Sequence, residues 1–410
     1  MKSSLFERVC KVEGLPDFLT APDTRRGFKG RVPGRIEPAP SDDPNSFHRC
    51  MRSVLIVGQC FSLMPIRGIS GGEASSLRFR WFHWSLFYSS LVIFGCLFML
   101  GVAVEKIFDK GFEFEDSSLF FMSMAIGANL LFIQLARNWP QLSLEWERAE
   151  VSMKHHGYPR NLAIKLKVYM VVILIGSTVE HLLANLKRAL TSTRCTDGTL
   201  TDWMQYCFVT GYSQVFNYFS YSHWKGIALF LIHLVATYIW NYMDMFVIIL
   251  SIALVERFRL ISAKLRKVRG KRMPESFWKQ TREDYNTLSY LCRNLDAAIS
   301  KLVLLSFTSN IYFICLQLYN SIRPLNDPVD IVYFYYSFGY LLLRSVSVSL
   351  FAASIYDETK EPKAVLYSVP SESFNIEVQR FLQQVTFDDV VLTGLNFFSI
   401  TRSLLLTVWS

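Results

Sequence analysis

Charged residues are scarce in this chain, and catalytic sequence signatures are missing from it. Only 19% of its 410 residues are Asp, Glu, Lys or Arg, below the roughly 25% of an average soluble domain. The glycine-containing run at Gly68 is not followed by Lys and Ser or Thr, which excludes a phosphate-binding loop. The pair His155 and His156 lacks the HExxH pattern of a zinc protease. We therefore expect that the protein is not an enzyme.

Several other classes are also disfavoured by what the sequence lacks. Its eight cysteines show no CxxC or Cys/His ligand spacing, so we expect no metal or other cofactor. Residues 1–51 contain no apolar signal-peptide core, so the first membrane span is expected to act as the targeting signal. A net charge of +9 would suggest a nucleic-acid partner in a soluble protein. Here the basic residues are confined to particular loops, so no nucleic-acid partner is expected.

What is abundant is apolar sequence. The chain is 51% hydrophobic and 15% aromatic, and several segments of about 20 residues are long enough to cross a hydrocarbon core of ~30 Å as helices. The sequence thus predicts an all-α integral membrane protein. Its six predicted spans are Trp84–Val104, Ser117–Ala136, Val168–Leu186, Gly226–Val255, Leu302–Ile322 and Ile331–Tyr356.

The distribution of basic residues predicts the orientation. The segments 1–83, 137–167 and 256–301 carry 31 Lys and Arg residues, whereas the three alternate loops carry 7. Because Lys and Arg concentrate on the cytosolic side of membrane proteins, we expect a cytosolic N-terminus. The predicted domains are a cytosolic, partly disordered tail at 1–82, a six-span domain at 83–356, and 357–410, described below.

Two segments outside the spans have helical patterns. Val54–Met64 is apolar but too short to span, which predicts an interfacial or docked helix. Within 256–301, basic residues surround apolar ones from Arg257 to Arg272, and Pro274 then forces a break. We expect spans 4 and 5 to continue as long helices into the cytosol.

Charged residues inside the spans are candidates for function because they are costly in a membrane. Glu180 and His181 lie toward the outer end of span 3, either in a ligand pocket or simply at the outer interface. Asp244 lies in the inner half of span 4 and Arg344 in the middle of span 6. We expect these two to have structural or gating roles, with Arg344 paired to Asp244 or Glu180.

Aromatic and amide side chains in the outer halves of the spans complete a candidate ligand pocket. Such groups suit a small ligand that presents both apolar faces and hydrogen-bonding groups, although Tyr and Trp are also ordinary at membrane interfaces. The candidates are Tyr238, Trp240, Asn241, Tyr312, Gln317, Tyr336 and Tyr340. In the outer loop, Cys195 and Cys207 are candidates for a disulfide because that side of the membrane is oxidising.

Several runs of residues resemble insect gustatory receptors of the sugar clade. The resemblance extends over about residues 50–408, and its most specific parts lie within Asp296–Gln317 and Ser337–Ser354. The runs include Trp240-Asn-Tyr-Met-Asp-Met-Phe-Val, Asn310-Ile-Tyr-Phe-Ile-Cys-Leu-Gln-Leu and Ser349-Leu-Phe-Ala-Ala-Ser. At the C-terminal end, Gly394-Leu-Asn-Phe-Phe-Ser-Ile-Thr-Arg resembles the beginning of the family's span 7.

The resemblance implies the seven-span fold of gustatory and odorant receptor channels. It also implies a subunit of a sugar-gated, non-selective cation channel, assembled as a homo- or hetero-tetramer with other gustatory receptor subunits. The implied location is the plasma membrane of gustatory neurons, including dendrite, axon and soma. The sequence does not indicate which sugar is recognised.

One departure from the family pattern concerns the C-terminus. The apolar segment Val390–Val408 is followed by Trp409 and Ser410, where the family continues into a pore-lining helix. We therefore expect six full spans plus the first half of span 7, with 357–410 acting as a cytosolic linker and that half-span. The alternative function is a truncated, non-conducting isoform that modulates full-length subunits. A sugar transporter is disfavoured because inverted repeats are not evident.

Overall fold

The computed structural model describes residues 43–111, 117–195, 199–322 and 327–409, and these are predominantly helical. A two-stranded antiparallel sheet pairs β1 (Ile66–Arg67) with β2 (Arg78–Phe79). The α-helices in the described ranges are α1 (Phe47–Cys60), α2 (Trp84–Lys110), α3 (Ser118–Ser152), α4 (Leu162–Cys195), α5 (Leu200–Gly211), α6 (Ser213–Phe216), α7 (His223–Lys267), α8 (Glu275–Ser321), α9 (Pro328–Lys360), α10 (Pro362–Leu366), α11 (Ile376–Phe387) and α12 (Arg402–Trp409).

Five of these helices are long and apolar enough to cross a membrane. They are α2, α3, α4, α8 and α9, with candidate spans at Trp84–Asp109, Ser118–Ser152, Leu162–Leu190, Glu275–Ser321 and Pro328–Leu366. These five contain the predicted spans 1, 2, 3, 5 and 6. The membrane-protein class inferred from the sequence is therefore supported by the lengths and apolar character of the helices.

The predicted span 4 lies in α7, which is not among those five candidates. Every residue of Ile239–Phe258 is buried, and α7 packs against α3, α4, α8 and α9. A helix that is apolar on all sides is stable only where protein or lipid surrounds it, and here the other helices provide that cover. Helix α7 is thus the central element of the bundle, and the total number of spans stays a prediction.

The predicted extensions of the fourth and fifth spans are present as continuous helices. Helix α7 runs for 45 residues and α8 for 47. At 1.5 Å per residue each is about 70 Å long, roughly twice the ~30 Å hydrocarbon thickness. Helix α7 ends at Lys267, and Pro274 is the N-cap of α8, as expected for a residue that cannot continue a helix. The cytosolic location of these extensions stays a prediction.

Helix α11 packs against the N-terminal part of α8 and forms a small bundle with it. Tyr285 is fully buried with its ring 5.3 Å from that of Phe381, and its hydroxyl donates to the Thr359 carbonyl at 3.1 Å. Arg282 Nε donates to Glu377 at 2.8 Å, and this hydrogen bond lowers the pKa of the Glu377 carboxyl. The bundle therefore combines an aromatic core with a charged rim.

The N-terminal helix α1 is docked on the bundle. Its buried face includes Phe47, whose ring stacks on Trp146 with 3.7 Å between centroids. The Phe47 backbone N–H donates to Glu150 at 3.1 Å, and Glu150 in turn forms a buried ion pair with Arg257 of α7. The structure thus favours the docked alternative for this segment, with the helix beginning earlier and ending earlier than Val54–Met64. Most of the tail predicted to be disordered lies outside the described residues.

The expectation of a continuous helical half-span over Val390–Val408 is wrong for its first part. Helix α12 begins only at Arg402, and Thr393 pairs with Ser399 in an isolated antiparallel bridge. Asp296 of α8 accepts hydrogen bonds from the Thr393 backbone N–H at 2.6 Å and from its hydroxyl at 2.9 Å. The apolar residues that suggested a helix are instead buried in this turn against the bundle: Val390, Leu392 and Ile400.

A glycine sets the spacing of α4 and α9 next to the candidate pocket. A Cβ atom at Gly176 would lie 2.4 Å from the ring of Tyr340. We expect Gly176→Val to lower the stability of the folded protein by about 1–3 kcal/mol through overpacking. The measurement is the thermal unfolding midpoint of purified protein in lipid nanodiscs.

Gly101 of α2 provides the matched control for that prediction. It has no atom within 4 Å of the position that a Cβ would occupy. We expect the same change, Gly101→Val, to leave the midpoint unchanged or to raise it slightly, because the position is open and valine favours helix more than glycine. Equal loss of stability in both variants would contradict the close α4–α9 contact.

Candidate functional site

A cavity of about 690 Å³ lies between α3, α4, α7, α8 and α9, with the segment joining α5 and α6 at one side. This volume falls within the roughly 300–1,000 Å³ of small-molecule sites. Its wall combines carboxylate, amide, imidazole and aromatic groups. The residues that carry these groups are Phe121, Glu180, His181, Tyr212, Gln214, His233, Trp240, Phe313, Gln317, Asn320, Asp330, Tyr333 and Phe334.

One wall of the cavity is a chain of hydrogen-bonded polar groups. Ser337 of α9 donates from its hydroxyl to Glu180 Oε1 of α4 at 2.6 Å. Gln317 of α8 donates from Nε2 to the same hydroxyl at 3.4 Å. A partly buried carboxylate with one bonded oxygen retains acceptor capacity for ligand hydroxyls. Three different helices therefore present acceptors and donors to one space.

An ion pair between α4 and α9 lies farther along the same face of α4. Glu180, Ala184 and Lys187 follow the four- and three-residue steps of one helix face. Lys187 Nζ lies 3.2 Å from Asp330 Oδ1, and both side chains are partly exposed. Both residues line the cavity, so its outer part has a charged rim.

Another part of the cavity lining is aromatic. The rings of Trp240 and Phe313 lie 4.5 Å apart, and Phe121 contacts Trp240 with 6.5 Å between centroids. Phe121 also lies 5.2 Å from His233. Stacked and tilted rings present broad apolar surfaces, which match the C–H faces of a pyranose. The cavity therefore offers both apolar ring surfaces and polar groups to a ligand.

Among the described wall residues, a histidine and a tryptophan carry buried polar atoms without a hydrogen-bond partner. These atoms are Nε2 of His181 and Nε1 of Trp240. A buried donor or acceptor without a partner costs about 1–3 kcal/mol, so its occurrence at a cavity wall is consistent with a site that is completed by a polar ligand or water.

Beneath the cavity lies a buried polar cluster on α7, α8 and α9. Arg344 Nε is 2.7 Å from Asp244 Oδ2, and both side chains are almost completely buried. Asp244 also accepts hydrogen bonds from Ser306 at 2.5 Å and Asn310 at 3.1 Å. The Arg344 guanidinium lies 4.0 Å from the centre of the Trp240 ring. The indole is therefore shared between the cavity wall and this charge cluster.

Four of the predicted pocket residues line the cavity, namely Glu180, His181, Trp240 and Gln317. Asn241 and Tyr340 belong to the cluster beneath it, where Asn241 Oδ1 accepts from Tyr340 at 3.0 Å and from Arg344. Asp244 and Arg344 form that cluster's ion pair. Any role of these residues in binding or gating stays a prediction.

Three other predicted residues point away from this cavity. Tyr238 hydrogen-bonds Thr178 at 2.8 Å and stacks on Phe61. Tyr312 stacks on Phe120 with 3.9 Å between centroids. Tyr336 donates to the Gly176 carbonyl at 3.0 Å. Helix direction predicts how far along a span each residue lies, but it could not give the face of the helix on which each lies.

Several wall residues were missed by sequence reasoning. His233 is a titratable residue within predicted span 4, and the rule that selected Glu180 would have selected it too. Asp330 was assigned to the loop before span 6, although it lies in the first turn of α9. Phe121 and Phe313 are aromatic residues in apolar helices, and the sequence has no feature that distinguishes them from phenylalanines outside the cavity. The predicted Cys195–Cys207 disulfide stays a prediction, because the side chain of Cys195 lies outside the described part of the structure.

Two further cavities have mainly apolar walls. One of about 740 Å³ lies between α2 and α7 and is lined by residues such as Leu91, Phe94 and Ile232. Another of about 610 Å³ lies between α4, α5 and α7 and includes Leu182, Phe208 and others. Neither provides the density of polar groups found around Glu180, so the mixed cavity is the better candidate for a polar ligand.

Comparison with known proteins places the chain in a family. The family model described as trehalose receptor matches residues 37–410. A gustatory receptor for sugar taste, 64f of Drosophila melanogaster, is 33% identical over 367 residues, covering 88% of this chain and 78% of the relative. The gustatory receptor 5a for trehalose of the same species is 34% identical over 370 residues, covering 88% of this chain and 82% of the relative.

Solved structures show the same fold at low sequence identity. The insect olfactory receptor OR5 from Machilis hrabei, in complex with eugenol, matches with a TM-score of 0.62 at 12% identity, over 90% of this chain and 96% of that one. A second structure of the same receptor matches with a TM-score of 0.63. The chain therefore belongs to the trehalose-receptor family of insect sugar gustatory receptors and has the insect olfactory receptor fold.

Proposed function

We propose that this chain is a sugar receptor and that the mixed cavity is its sugar-binding site. The observation that carries the proposal is that the Glu180–Ser337–Gln317 hydrogen-bond chain and the Trp240–Phe313 ring pair line the same cavity. Sugar hydroxyls would bond to the polar wall while a ring face rests on the indole. The two relatives described as receptors for sugar taste and for trehalose support this ligand class.

We further infer that the chain acts as a subunit of a ligand-gated, non-selective cation channel. The support is the family membership together with the olfactory receptor fold. In this proposal the subunits form a homo- or hetero-tetramer in the plasma membrane of gustatory neurons, with the N-terminus in the cytosol. The 83–356 region binds sugar, and the extensions within 256–301 lie on the cytosolic side.

The cluster beneath the cavity suggests how binding could be coupled to gating. Trp240 lines the cavity and also covers the guanidinium of Arg344, which is held by Asp244 on the same helix as Trp240. A sugar that moves the indole would change the surroundings of a buried ion pair. Ligand binding shifts a conformational equilibrium only by its differential affinity for the two states, and this contact provides a physical basis for such a difference.

The test of the proposed function is a recording of sugar-evoked current. Cells expressing the chain, alone or with a second family member, are exposed to glucose, sucrose, maltose, trehalose and glycerol. We expect at least one sugar to evoke a cation current that saturates with concentration. Saturable uptake of labelled sugar without any current would contradict the channel proposal and favour a transporter.

A change at the polar wall provides the residue-level test. We expect Gln317→Ala to raise the sugar concentration for half-maximal current about 2- to 10-fold, since a neutral hydrogen bond contributes roughly 0.5–1.5 kcal/mol. Asn286 provides a matched amide control, because it lies on the distal part of the same helix and bonds Gln384 of α11. Asn286→Ala is expected to leave the dose–response curve unchanged. The same shift in both variants would contradict the site.

A further inference from the structure

A histidine pair and an aspartate converge at the membrane-distal part of the bundle, far along α8 from the sugar cavity. His155 and His156 lie in a short 3-10 helix between α3 and α4, and Asp284 lies on α8. The imidazole Nε2 atoms are 2.8 and 2.7 Å from the same oxygen, Asp284 Oδ2. All three ligand atoms lie within 4.8 Å of one another.

The surroundings hold these groups in place. Gln280 Nε2 donates to the other carboxylate oxygen, Asp284 Oδ1, at 3.0 Å. Arg257 of α7 donates to the Gly157 carbonyl at 3.3 Å, one residue after the histidine pair, and its guanidinium lies 4.9 Å from the Tyr158 ring. The turn that carries both imidazoles is therefore anchored to α7. One carboxylate oxygen is fixed by Gln280, and the other faces both histidines.

Accessibility is also suited to an exchangeable ligand. The side chains of His156 and Asp284 are 2% and 4% exposed, whereas that of His155 is 39% exposed. Two ligands are thus shielded by protein, and the third borders solvent. A metal bound here would have an approach path and an open position for water.

We propose that His155, His156 and Asp284 form a binding site for a divalent transition metal, with zinc as the best-suited ion. Two imidazole nitrogens and one carboxylate oxygen form a recurrent zinc ligand set, and imidazole disfavours Ca²⁺ and Mg²⁺. Zinc–ligand bonds of about 2.0–2.2 Å in tetrahedral geometry separate the ligand atoms by about 3.3 Å. The two nitrogen–oxygen separations need to open by roughly half an ångström, which side-chain rotation can supply.

Metal binding would restrain the position of the α3–α4 turn relative to α8. The ion would replace the protons shared between the imidazoles and the carboxylate, and it would tie the α3–α4 turn to α8. Gln280 would hold the metal-binding carboxylate in orientation, as outer partners do in other metal sites. The site is independent of the sugar cavity, so its test does not depend on the proposed function.

The test is metal binding by the full chain in lipid nanodiscs, with zinc and cobalt as probes. The wild-type protein is expected to bind one zinc ion per chain and to give the visible absorption of tetrahedral cobalt when loaded with Co²⁺. We expect His156→Gln and Asp284→Asn to raise the zinc dissociation constant by more than about 100-fold, since loss of an outer partner alone costs 10- to 100-fold. Zinc is expected to raise the thermal unfolding midpoint of the wild type but not those of the His156→Gln and Asp284→Asn variants.

Two additional variants separate metal binding from folding. His155→Gln removes a partly exposed ligand and should fold normally while losing affinity. His223→Gln alters an exposed histidine at the start of α7 that bonds Tyr221, and it should retain full zinc binding. Absence of zinc from the wild type, or equal zinc binding by wild type and His155→Gln, would overturn the proposal and leave a hydrogen-bonded His–Asp cluster.

Discussion

Replacing Glu180 by Gln is expected to raise the sugar concentration for half-maximal response about 10- to 100-fold. Glu180 provides a partly buried carboxylate at the cavity wall, and the Ser337 hydroxyl donates to one of its oxygens. A hydrogen bond to a charged acceptor contributes roughly 1.5–3 kcal/mol, about twice that of a neutral one. A carboxylate that accepts hydrogen bonds from two sugar hydroxyls would therefore lose about 1.5–3 kcal/mol of binding free energy when it is replaced by a neutral amide. Each 1.4 kcal/mol corresponds to a tenfold change in affinity. The measurement is the dose–response curve of sugar-evoked current, with surface expression quantified in the same cells.

Glu361 provides a matched control for this variant. It follows α9, its side chain is 45% exposed, and it lies 4.0 Å from Arg266. The same Glu→Gln change at this position removes one negative charge without touching the cavity, so the dose–response curve is expected to stay in place. A Glu180→Gln variant that reaches the surface and responds like the wild type would exclude this carboxylate from sugar binding.

The second large effect is expected at the buried ion pair beneath the cavity. Replacing Asp244 by Asn leaves the Arg344 guanidinium without its carboxylate partner in a fully buried position. Breaking a buried pair by removal of one partner costs about 3–5 kcal/mol, because an uncompensated charge remains. We therefore expect Asp244→Asn to lower the unfolding midpoint strongly and to reduce the amount of protein at the cell surface.

The double variant Asp244→Asn with Arg344→Gln tests the cause of that loss. It removes both charges and retains polar groups that can bond Ser306 and Asn310, so much of the lost stability should return. Such recovery is the mark of a direct interaction between two sites. Equal instability of the single and double variants would mean that Asp244 stabilises the fold through contacts other than Arg344.

The sequence predicted the long elements of this protein well because apolar length is a strong signal. The helical continuation of α7 to Lys267 and the restart of α8 after Pro274 follow from an unbroken helical pattern and a residue that lacks a backbone donor. The turn around Thr393 was not predicted, because Val390 and Ile400 are as apolar as helix residues. Two hydrogen bonds from Thr393 to the distant Asp296 hold that turn, and no local pattern indicates them.

The candidate site could be predicted only in part. A carboxylate in an apolar segment is conspicuous, which explains why Glu180 was identified. Trp240, Asn241 and Tyr238 are near neighbours in α7, yet one lines the cavity, one joins the charge cluster and one contacts Thr178. Because α7 is buried on every side over this region, it has no polar face to indicate orientation. That information comes only from the packing of the other helices.

The central claim is that sugar occupies the cavity between α4, α7, α8 and α9. A cysteine introduced by Gln317→Cys would place a thiol in the polar wall, and its rate of modification by a water-soluble methanethiosulfonate reagent reports access to that wall. The parent chain serves as control for modification of the exposed native cysteines Cys60 and Cys315. We predict that a saturating concentration of an activating sugar slows modification of Gln317→Cys severalfold, whereas an inactive sugar does not. An unchanged modification rate under a sugar that still evokes full current would place the binding site elsewhere.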